Sequence, residues 1–315
     1  MSRAGRSIAC VAPNPSIDRH FACAAVVPGA IHRPDELLLR PGGKGLNVAR
    51  AARTLGADVR AVALVAGHAG RWIAGALAAE GVDAELVWGE GETRSSLSVA
   101  AGGAMTEFYE RGDPPGAAAW RAFAGAIATA AAGVRWMSFS GSMPPGVDPG
   151  DAEALVATAR AAGARVAVDQ HGRTLEAALR GAPHLVKVNA AEAAEVTGHA
   201  DPLRAARALH DLLMAAATEA PIVVVTLGEV GALALTPRGA LRGRLDVRGP
   251  YPVASGDAFL AGLLTAAPRD AAGDWTPALA LATGAACANA ELPGAADLDP
   301  ARASTLAEQA VWTAA

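Results

Sequence analysis

The sequence predicts an α/β fold in which helices cover both faces of a mostly parallel β-sheet and a small second β-sheet is added at one edge. Short apolar runs alternate with amphipathic or alanine-rich stretches along the chain, which is typical of βαβ units. Hydrophobic residues make up 52% of the 315 residues, which excludes a disordered chain. Aromatic residues make up only 4%, so we expect a core in which helices and strands approach closely.

The apolar runs predict six buried strands separated by helices, and this alternation favours a parallel sheet. The predicted strands are Ser7–Ala12, Val59–Val65, Val134–Phe139, Ala164–Val168, His184–Val188 and Ile222–Thr226. The predicted helices between them are Leu46–Leu55, Ala69–Glu80, Trp120–Ala132, Asp151–Ala162, Ala190–Val196 and Pro202–Ala216. A hairpin at Gly228–Arg244 and two helices, Asp257–Ala267 and Pro277–Glu291, are predicted to follow.

Two regions interrupt this rhythm with alternating, strand-like patterns that have no helix between them. They are Cys23–Arg40 and Glu85–Glu110. We expect them to form a small β-sheet over one edge of the main domain. No linker rich in Pro, Gly or Ser divides the chain, so the expectation is one domain over residues 1–315, with a β-lid built from insertions near 19–40 and 85–111.

Composition excludes several classes of partner. The chain has 27 Lys and Arg against 31 Asp and Glu, so it lacks the broad basic surface that nucleic acid or anionic lipid requires. The longest strongly apolar stretch, Ala122–Val134, is too short to span a bilayer, and Ile8–Ala12 is too short for the core of a secretory signal. Three widely spaced cysteines form no disulfide framework. We therefore expect a cytoplasmic protein.

The most informative local feature is an acidic residue after three small ones, at the start of a predicted helix: Ala254, Ser255, Gly256 and Asp257. Small side chains let an anion approach the backbone N–H groups, and the helix N-terminus adds partial positive charge. Asp257 taken alone is more often a helix cap than a general base.

A glycine-rich turn, Gly42-Gly43-Lys44-Gly45, leads into the first predicted helix and carries Asn47. It offers backbone N–H groups and one ammonium group to an anion. The spacing is neither that of a Walker A loop nor that of a dinucleotide-binding fingerprint. The alternative is a tight turn that needs a positive φ.

Three further motifs follow predicted strands. They are Asn14 to Asp18, Lys187 to Glu192 with Asn189, and Thr226 with Gly228 and Gly231. Their structural alternatives are an Asx turn, a capping box and a tight turn, respectively. Because open α/β sheets bind ligands at the carboxyl ends of their strands, the combination of motifs indicates one binding site at that edge.

Seven segments, in the order in which they occur, resemble the landmarks of the PfkB carbohydrate kinases. They are Asn14-Pro15-x-x-Asp18, Gly42-Gly43-Lys44-Gly45-x-Asn47, Thr93-Arg94, Ser140-Gly141-Ser142-x-Pro144-x-Gly146, Lys187-x-Asn189-x-x-Glu192, Thr226-Leu227-Gly228-x-x-Gly231 and Ala254-Ser255-Gly256-Asp257. The resemblance covers nearly the whole chain and is closest to the hexose-phosphate kinase branch. It implies a ribokinase-like three-layer α/β/α sandwich with a small β-sheet lid, and a homodimer formed through that lid.

The resemblance also implies an activity, namely transfer of a phosphoryl group from Mg·ATP to a sugar phosphate, with fructose 1-phosphate as the leading acceptor. Asp257 would be the general base, beside an anion hole of N–H groups from Ala254, Ser255, Gly256 and Asp257. The sugar phosphate would contact Asp18, Gly42, Gly43, Lys44, Asn47, Arg94 and Ser140. The ATP side would contain Lys187, Asn189, Thr226, Gly228, Gly231 and Asn289, and Glu192 would hold Mg²⁺ through water.

The segment before Asp257 departs from the family pattern. Pro252 has no N–H group, and Ala254 stands where the family has glycine, so Ala254 must keep a negative φ or accept strain. Three alternatives stay open. They are phosphorylation of tagatose 6-phosphate or fructose 6-phosphate, phosphorylation of a neutral sugar or nucleoside, and a catalytically impaired protein that binds sugar phosphates.

Overall fold

Two β-sheets organise the protein in the computed structural model, which describes residues 7–215 and 219–315. The strands in these ranges are β1 (Ser7–Ala12), β2 (Ser16–Cys23), β3 (Glu36–Gly42), β4 (Asp58–Val65), β5 (Asp83–Trp88), β6 (Arg94–Ala101), β7 (Ala104–Tyr109), β8 (Trp136–Ser140), β9 (Arg165–Asp169), β10 (Leu185–Asn189), β11 (Ile222–Thr226), β12 (Ala232–Thr236), β13 (Gly239–Arg244) and β14 (Val311–Ala314). The helices are α1 (Lys44–Thr54), α2 (Gly67–Ala79), α3 (Ala117–Ala131), α4 (Asp151–Ala161), α5 (Gly172–Arg180), α6 (Ala190–Thr197), α7 (Pro202–Met214), α8 (Ser255–Thr265), α9 (Thr276–Ala290) and α10 (Pro300–Gln309).

The main sheet has the strand order β14-β13-β12-β11-β10-β9-β8-β1-β4-β5. The strands from β11 to β5 are parallel, and β12, β13 and β14 are antiparallel additions at one edge. The predicted α/β class and the mostly parallel sheet are confirmed. Because the parallel strands all end at one edge, the residues that follow them are brought together there.

Helices cover both faces of this sheet, each over its own apolar layer. One layer contains residues of α1, α2, α8, α9 and α10, and the other contains residues of α3 to α7. Small residues let these helices approach closely. A Cβ atom at Gly262 of α8 would lie 2.8 Å from the Leu281 carbonyl oxygen of α9, and one at Gly284 would lie 2.2 Å from the Ala303 carbonyl oxygen of α10. The alanine-rich, aromatic-poor composition thus corresponds to tightly packed helices.

The second sheet, which we call the lid, has the strand order β3-β2-β6-β7. The prediction that residues 85–111 belong to this lid is wrong for the first four, because β5 pairs in parallel with β4 at the edge of the main sheet. The lid also begins earlier than predicted, at Ser16, which pairs with Gly42. An alternating pattern predicts a strand, but it does not indicate which sheet the strand joins.

Three elements were not predicted, namely α5, α10 and β14. His171 is the N-cap residue of α5. Helix α10 begins with a sequence signal that could have been used, since Asp299 caps it and Pro300 occupies its first position. The predicted helix Pro202–Ala216 is observed to Met214, and Ala216 lies outside the described residues.

A network of ion pairs connects the lid to the body of the protein. The Asp297 carboxylate bridges two cations, Arg40 of β3 and Arg50 of α1, at N···O distances of 2.7 and 2.8 Å. Arg50 is buried and also pairs with Glu80. This network holds the end of β3 against α1, where the glycine-rich turn lies. Among residues 7–215 and 219–315, no helix has the length and apolar character needed to cross a membrane.

Candidate active site

A cavity of about 580 Å³ lies between the lid and the carboxyl edge of the main sheet. Of the residues predicted for the site, these line it: Asp18, Gly43, Lys44, Asn47, Arg94, Lys187, Asn189, Glu192, Thr226, Gly228, Gly231, Ala254, Ser255, Gly256 and Asp257. The fold therefore brings together motifs that are up to 239 positions apart in the sequence, from Asp18 to Asp257. The size suits a ligand of drug-like dimensions or larger.

Helix α8 points its N-terminus into this cavity through the segment Tyr251–Asp257, which we call the anion loop. Ala254 is the residue before the helix and has φ 61° and ψ 8°, so it accepts the left-handed conformation. The amides of Ser255 and Asp257 donate to the carbonyls of Pro252 and Ala254, at 3.1 and 3.0 Å. Within the described ranges, the backbone amides of Ala254 and Gly256 donate to no backbone carbonyl. These two amides, and not all four predicted, are free for an anion.

Asp257 lies at the first turn of α8 and is buried. Its Oδ2 atom accepts a hydrogen bond of 2.9 Å from the Asn47 side-chain amide, which comes from α1. Burial, followed by the nearby Asp169 carboxylate, raises the pKa of Asp257 to about 7, although Lys44 and Lys187 act in the opposite direction. A carboxyl group with this pKa can accept a proton at neutral pH.

Two lysines share one buried carboxylate beside Asp257. Lys44 Nζ lies 2.8 Å from Asp169 Oδ1, and Lys187 Nζ lies 2.7 Å from Asp169 Oδ2. Burial alone would raise the pKa of Asp169, but the two ammonium groups outweigh it and hold that pKa well below its usual range. Lys44 was predicted to bind the phosphate of the sugar. Lys44 lines the cavity, and its ammonium group lies next to Asp169 and 3.6 Å from Glu192.

The lid contributes a second group of polar side chains. Asp18 is held by the Ser16 hydroxyl at 2.5 Å and by the Gly43 amide at 3.3 Å, and burial raises its pKa. A Cβ atom at Gly42 would lie 2.0 Å from Asp18 Oδ2, so glycine is required there. Arg94 donates to the Ser96 hydroxyl and to backbone carbonyls. Among the described residues it forms no ion pair with a carboxylate, which leaves its charge available to an anionic ligand.

Asn189 and Glu192 form the capping box of α6, with hydrogen bonds of 2.8 and 2.9 Å in the two directions. Both residues also line the cavity, so the capping box does not remove them from the reach of a ligand. The part of the chain that the structure describes has no cluster of three or more His, Cys, Asp or Glu residues that could form a metal cage. One carboxylate and one amide nevertheless fit Mg²⁺, which keeps several waters and is completed by substrate phosphates.

Three predicted site residues do not lie on the cavity wall. Ser140 is buried at the end of β8, and Gly42 lies behind Asp18. Asn289 was predicted to line the ATP side, but it is fully buried and its amide donates to Val253 O at 2.8 Å and to Ser255 Oγ at 3.0 Å. It therefore fixes the shape of the anion loop from behind.

Sequence reasoning placed the Asp169 end of its strand at the border of the site but did not include Asp169 among the site residues. It also missed several cavity-lining residues of the lid. These are Arg19, His20, Leu38, Arg40, Ser96, Ser98 and Tyr109. Alternation along β2 provides a signal for the polar inner face, since Ser16, Asp18 and His20 are two residues apart.

This fold, with an acid at a helix N-terminus beside two ammonium groups, defines a phosphotransferase that uses an alcohol group as acceptor. Residues 12–302 match the model of the pfkB family carbohydrate kinases, and the chain belongs to that family. It is 34% identical over 268 residues to a 1-phosphofructokinase of Haloferax volcanii, covering 82% of this chain and 83% of the relative. A 1-phosphofructokinase of Rhodobacter capsulatus is 32% identical over 274 residues, with the same coverage.

Solved structures agree with this assignment. The tetrameric inhibited form of phosphofructokinase-2 from Escherichia coli has a TM-score of 0.86 and 25% identity, covering 96% of this chain and 99% of that one. The same enzyme in complex with fructose-6-phosphate has a TM-score of 0.83 and 25% identity, covering 98% and 99%. The ribokinase-like fold expected from the resemblance is confirmed.

Proposed function

We propose that this protein is a sugar-phosphate kinase, which transfers the γ-phosphate of Mg·ATP to a hydroxyl group of a hexose phosphate. Fructose 1-phosphate is the leading acceptor, and fructose 1,6-bisphosphate would be its product. The observation that carries the proposal is the buried Asp257 at the N-terminus of α8, between the lid side chains and two ammonium groups. The names of the two relatives, both 1-phosphofructokinases, support this acceptor.

Asp257 acts as the general base in this proposal. As the acceptor hydroxyl attacks the γ-phosphorus, a new O–P bond forms, the bond to the ADP oxygen breaks, and the hydroxyl proton moves to the Asp257 carboxylate. The Asn47 amide holds Oδ2 of that carboxylate at 2.9 Å, which fixes its orientation. A raised pKa makes Asp257 a stronger base than an ordinary carboxylate while it still ionises near pH 7.

Charge stabilisation comes from the groups around the base. The free amides of Ala254 and Gly256 and the N-terminus of α8 would hold the transferred phosphoryl group. Lys187 reaches the same place, because a Cβ atom at Gly256 would lie 2.8 Å from its Nζ atom. Such positioning and charge stabilisation supply most of phosphoryl-transfer catalysis.

The donor would bind at the ends of β10 and β11, where Asn189 and Thr226 are register partners. Gly228 and Gly231, with φ of 60° and 113°, belong to the turn after β11 and line the cavity there. Mg²⁺, when bound with the nucleotide, neutralises phosphate charge, and Glu192 and Asn189 would orient its water ligands.

The acceptor would bind under the lid. Asp18 accepts hydrogen bonds and is placed to hold sugar hydroxyl groups, together with Asn47. Arg94 is the cation for the phosphate that the acceptor already carries, because it lies at the cavity and has no carboxylate partner among the described residues. A neutral sugar would leave this partly buried guanidinium group without a direct ion pair among the described residues.

We also propose that two copies of the protein form a homodimer through the lid. Its outer strands expose apolar side chains, with Phe108 of β7 59% exposed and Leu37 of β3 53% exposed. Val26, Val27 and Ile31, in the loop between β2 and β3, are exposed as well. A second copy packed against this surface would cover a patch that a monomer leaves in water.

The function is tested by ADP release from Mg·ATP with fructose 1-phosphate, fructose 6-phosphate, tagatose 6-phosphate, fructose, ribose and adenosine. We expect turnover with a sugar phosphate, and a loss of roughly 10²–10⁴-fold in kcat for Asp257→Asn, because the base is removed. Asp201→Asn is the matched control, since Asp201 caps α7 outside the site and should leave kcat unchanged. Turnover of neutral acceptors alone would contradict the proposal, and binding of a sugar phosphate without turnover would favour the impaired binding protein.

A further inference from the structure

Asp169 is completely buried beside the cavity and forms two ion pairs at once. Its Oδ1 and Oδ2 atoms each accept a hydrogen bond from a different lysine, so both oxygens of the carboxylate are occupied. The two lysines come from separate parts of the chain, the first turn of α1 and the strand β10. Asp169 itself ends β9, and its carbonyl accepts the Gly141 amide at 3.0 Å.

Besides Asp169, each ammonium group lies close to one residue that lines the cavity. Lys187 Nζ lies against Gly256 of the anion loop, at 2.8 Å from the position of an added Cβ atom. Lys44 Nζ lies 3.6 Å from Glu192 Oε1, on the donor side. A single carboxylate thus fixes one cation beside the anion loop and another beside the donor site.

We propose that Asp169 is a positioning residue of the kinase reaction, the shared counter-ion that holds the Lys44 and Lys187 ammonium groups in the path of the transferred phosphoryl group and away from the Asp257 carboxylate. This assignment rests on the proposed function for the identity of the transferred group. The pairing of Asp169 with Lys44 and Lys187 follows from the distances between their charged atoms and does not depend on that function.

The charged and titratable groups near Asp257 come from α1, β9, β10 and the lid. Lys44 of α1, Lys187 of β10 and Asp169 of β9 act on Asp257 through their charges, and Asn47 of α1 donates a hydrogen bond. Tyr109 of the lid is uncharged, because burial raises its pKa. If the Asp169 charge is removed, a like charge disappears and both ammonium groups lose their counter-ion. Lys44 keeps Glu192 at 3.6 Å, and the pKa of Asp257 falls because both ammonium charges still act on it while the Asp169 charge is gone.

The test measures that pKa directly and does not require activity. The protein is labelled with ¹³C at aspartate side chains, and the Asp257 signal is identified by its loss in Asp257→Asn. We expect Asp169→Asn to lower the titration midpoint of Asp257 by at least about one pH unit. Asp297→Asn is the matched control, because Asp297 is likewise shared by two cations, Arg40 and Arg50. It should lower stability without moving the Asp257 midpoint.

Kinetics supply the second arm of the test. Asp169→Asn should lower kcat by roughly 100-fold or more, and the acid limb of its kcat/KM profile should shift to lower pH with the Asp257 midpoint. Asp169→Glu keeps the negative charge but displaces the lysines. We therefore expect the pKa of Asp257 to stay above its ordinary value, as in the wild type, while kcat falls. This variant tests the positioning role even if Asp169→Asn does not fold.

An unchanged Asp257 midpoint in folded Asp169→Asn, or full kcat in Asp169→Glu, would overturn the assignment. A shifted midpoint in a protein whose wild type phosphorylates no sugar phosphate would support the counter-ion role and overturn the proposed function instead. The two failures are therefore distinguishable.

Discussion

Replacing Ala254 with glycine tests how much backbone strain the anion loop carries. Ala254 has φ 61° and ψ 8°, and this left-handed conformation costs a residue with a side chain about 1–2 kcal/mol. Glycine removes that cost but loses about 0.4–1 kcal/mol more entropy on folding. The methyl group of Ala254 is half-buried, and full burial of such a group contributes about 0.8 kcal/mol to stability. Its removal therefore costs about 0.4 kcal/mol. We expect Ala254→Gly to raise the free energy of unfolding by about 0.4 kcal/mol.

Urea unfolding of Ala254→Gly beside Ala157→Gly measures this effect. Ala157 is exposed in the middle of α4, where the same substitution should lower the free energy of unfolding by about 1 kcal/mol. The two variants should then differ by about 1.4 kcal/mol, with changes in opposite directions. Equal destabilisation of both variants would refute the argument that Ala254 is strained.

Two further predictions concern the anion loop and the lid. Gly256→Ala should lower kcat roughly 10–100-fold, because its Cβ atom would lie 2.8 Å from the Lys187 ammonium group and would displace it. Gly125→Ala, in open space on α3, should leave kcat unchanged, and equal kinetics for the two variants would contradict this prediction. The double variant Leu37→Ser and Phe108→Ser should halve the molar mass measured by light scattering if the lid forms the dimer, because both side chains are exposed on the lid. Leu212→Ser is the control, since Leu212 is equally exposed on α7. An unchanged mass in the lid variant would exclude this interface.

The fold was largely predictable because each buried strand is a short apolar run of the kind that parallel sheets require. Val223, Val224 and Val225 of β11 are fully buried, and a run of three β-branched residues is typical of a strand that is covered on both faces. The assignment of β5 was not predictable, because its residues are only half-buried and resemble those of the lid strands. Helix α5 was missed because its start, at His171, has no capping side chain.

The site was predictable at the positions where a motif combines an unusual residue type with a strand end. Asp18, Asn189 and Asp257 belong to such motifs, and all three line the cavity. The partners of the charged groups were not predictable, since they depend on distances between segments far apart in the chain. Lys44 illustrates this, because only the structure shows that its ammonium group pairs with Asp169, 125 positions away.

The departures in the anion loop leave its shape in place, because neighbouring contacts hold the altered positions. Pro252 has no N–H group, but its carbonyl accepts the Ser255 amide. Ala254 traces the left-handed turn that a glycine would adopt freely, and Asn289 holds the loop from behind through Ser255 Oγ. The Gly256 amide therefore stays free at the cavity. For the proposed function, this loop favours an active kinase over an impaired binding protein, since strain lowers stability while the free amide and the proposed base would determine the rate.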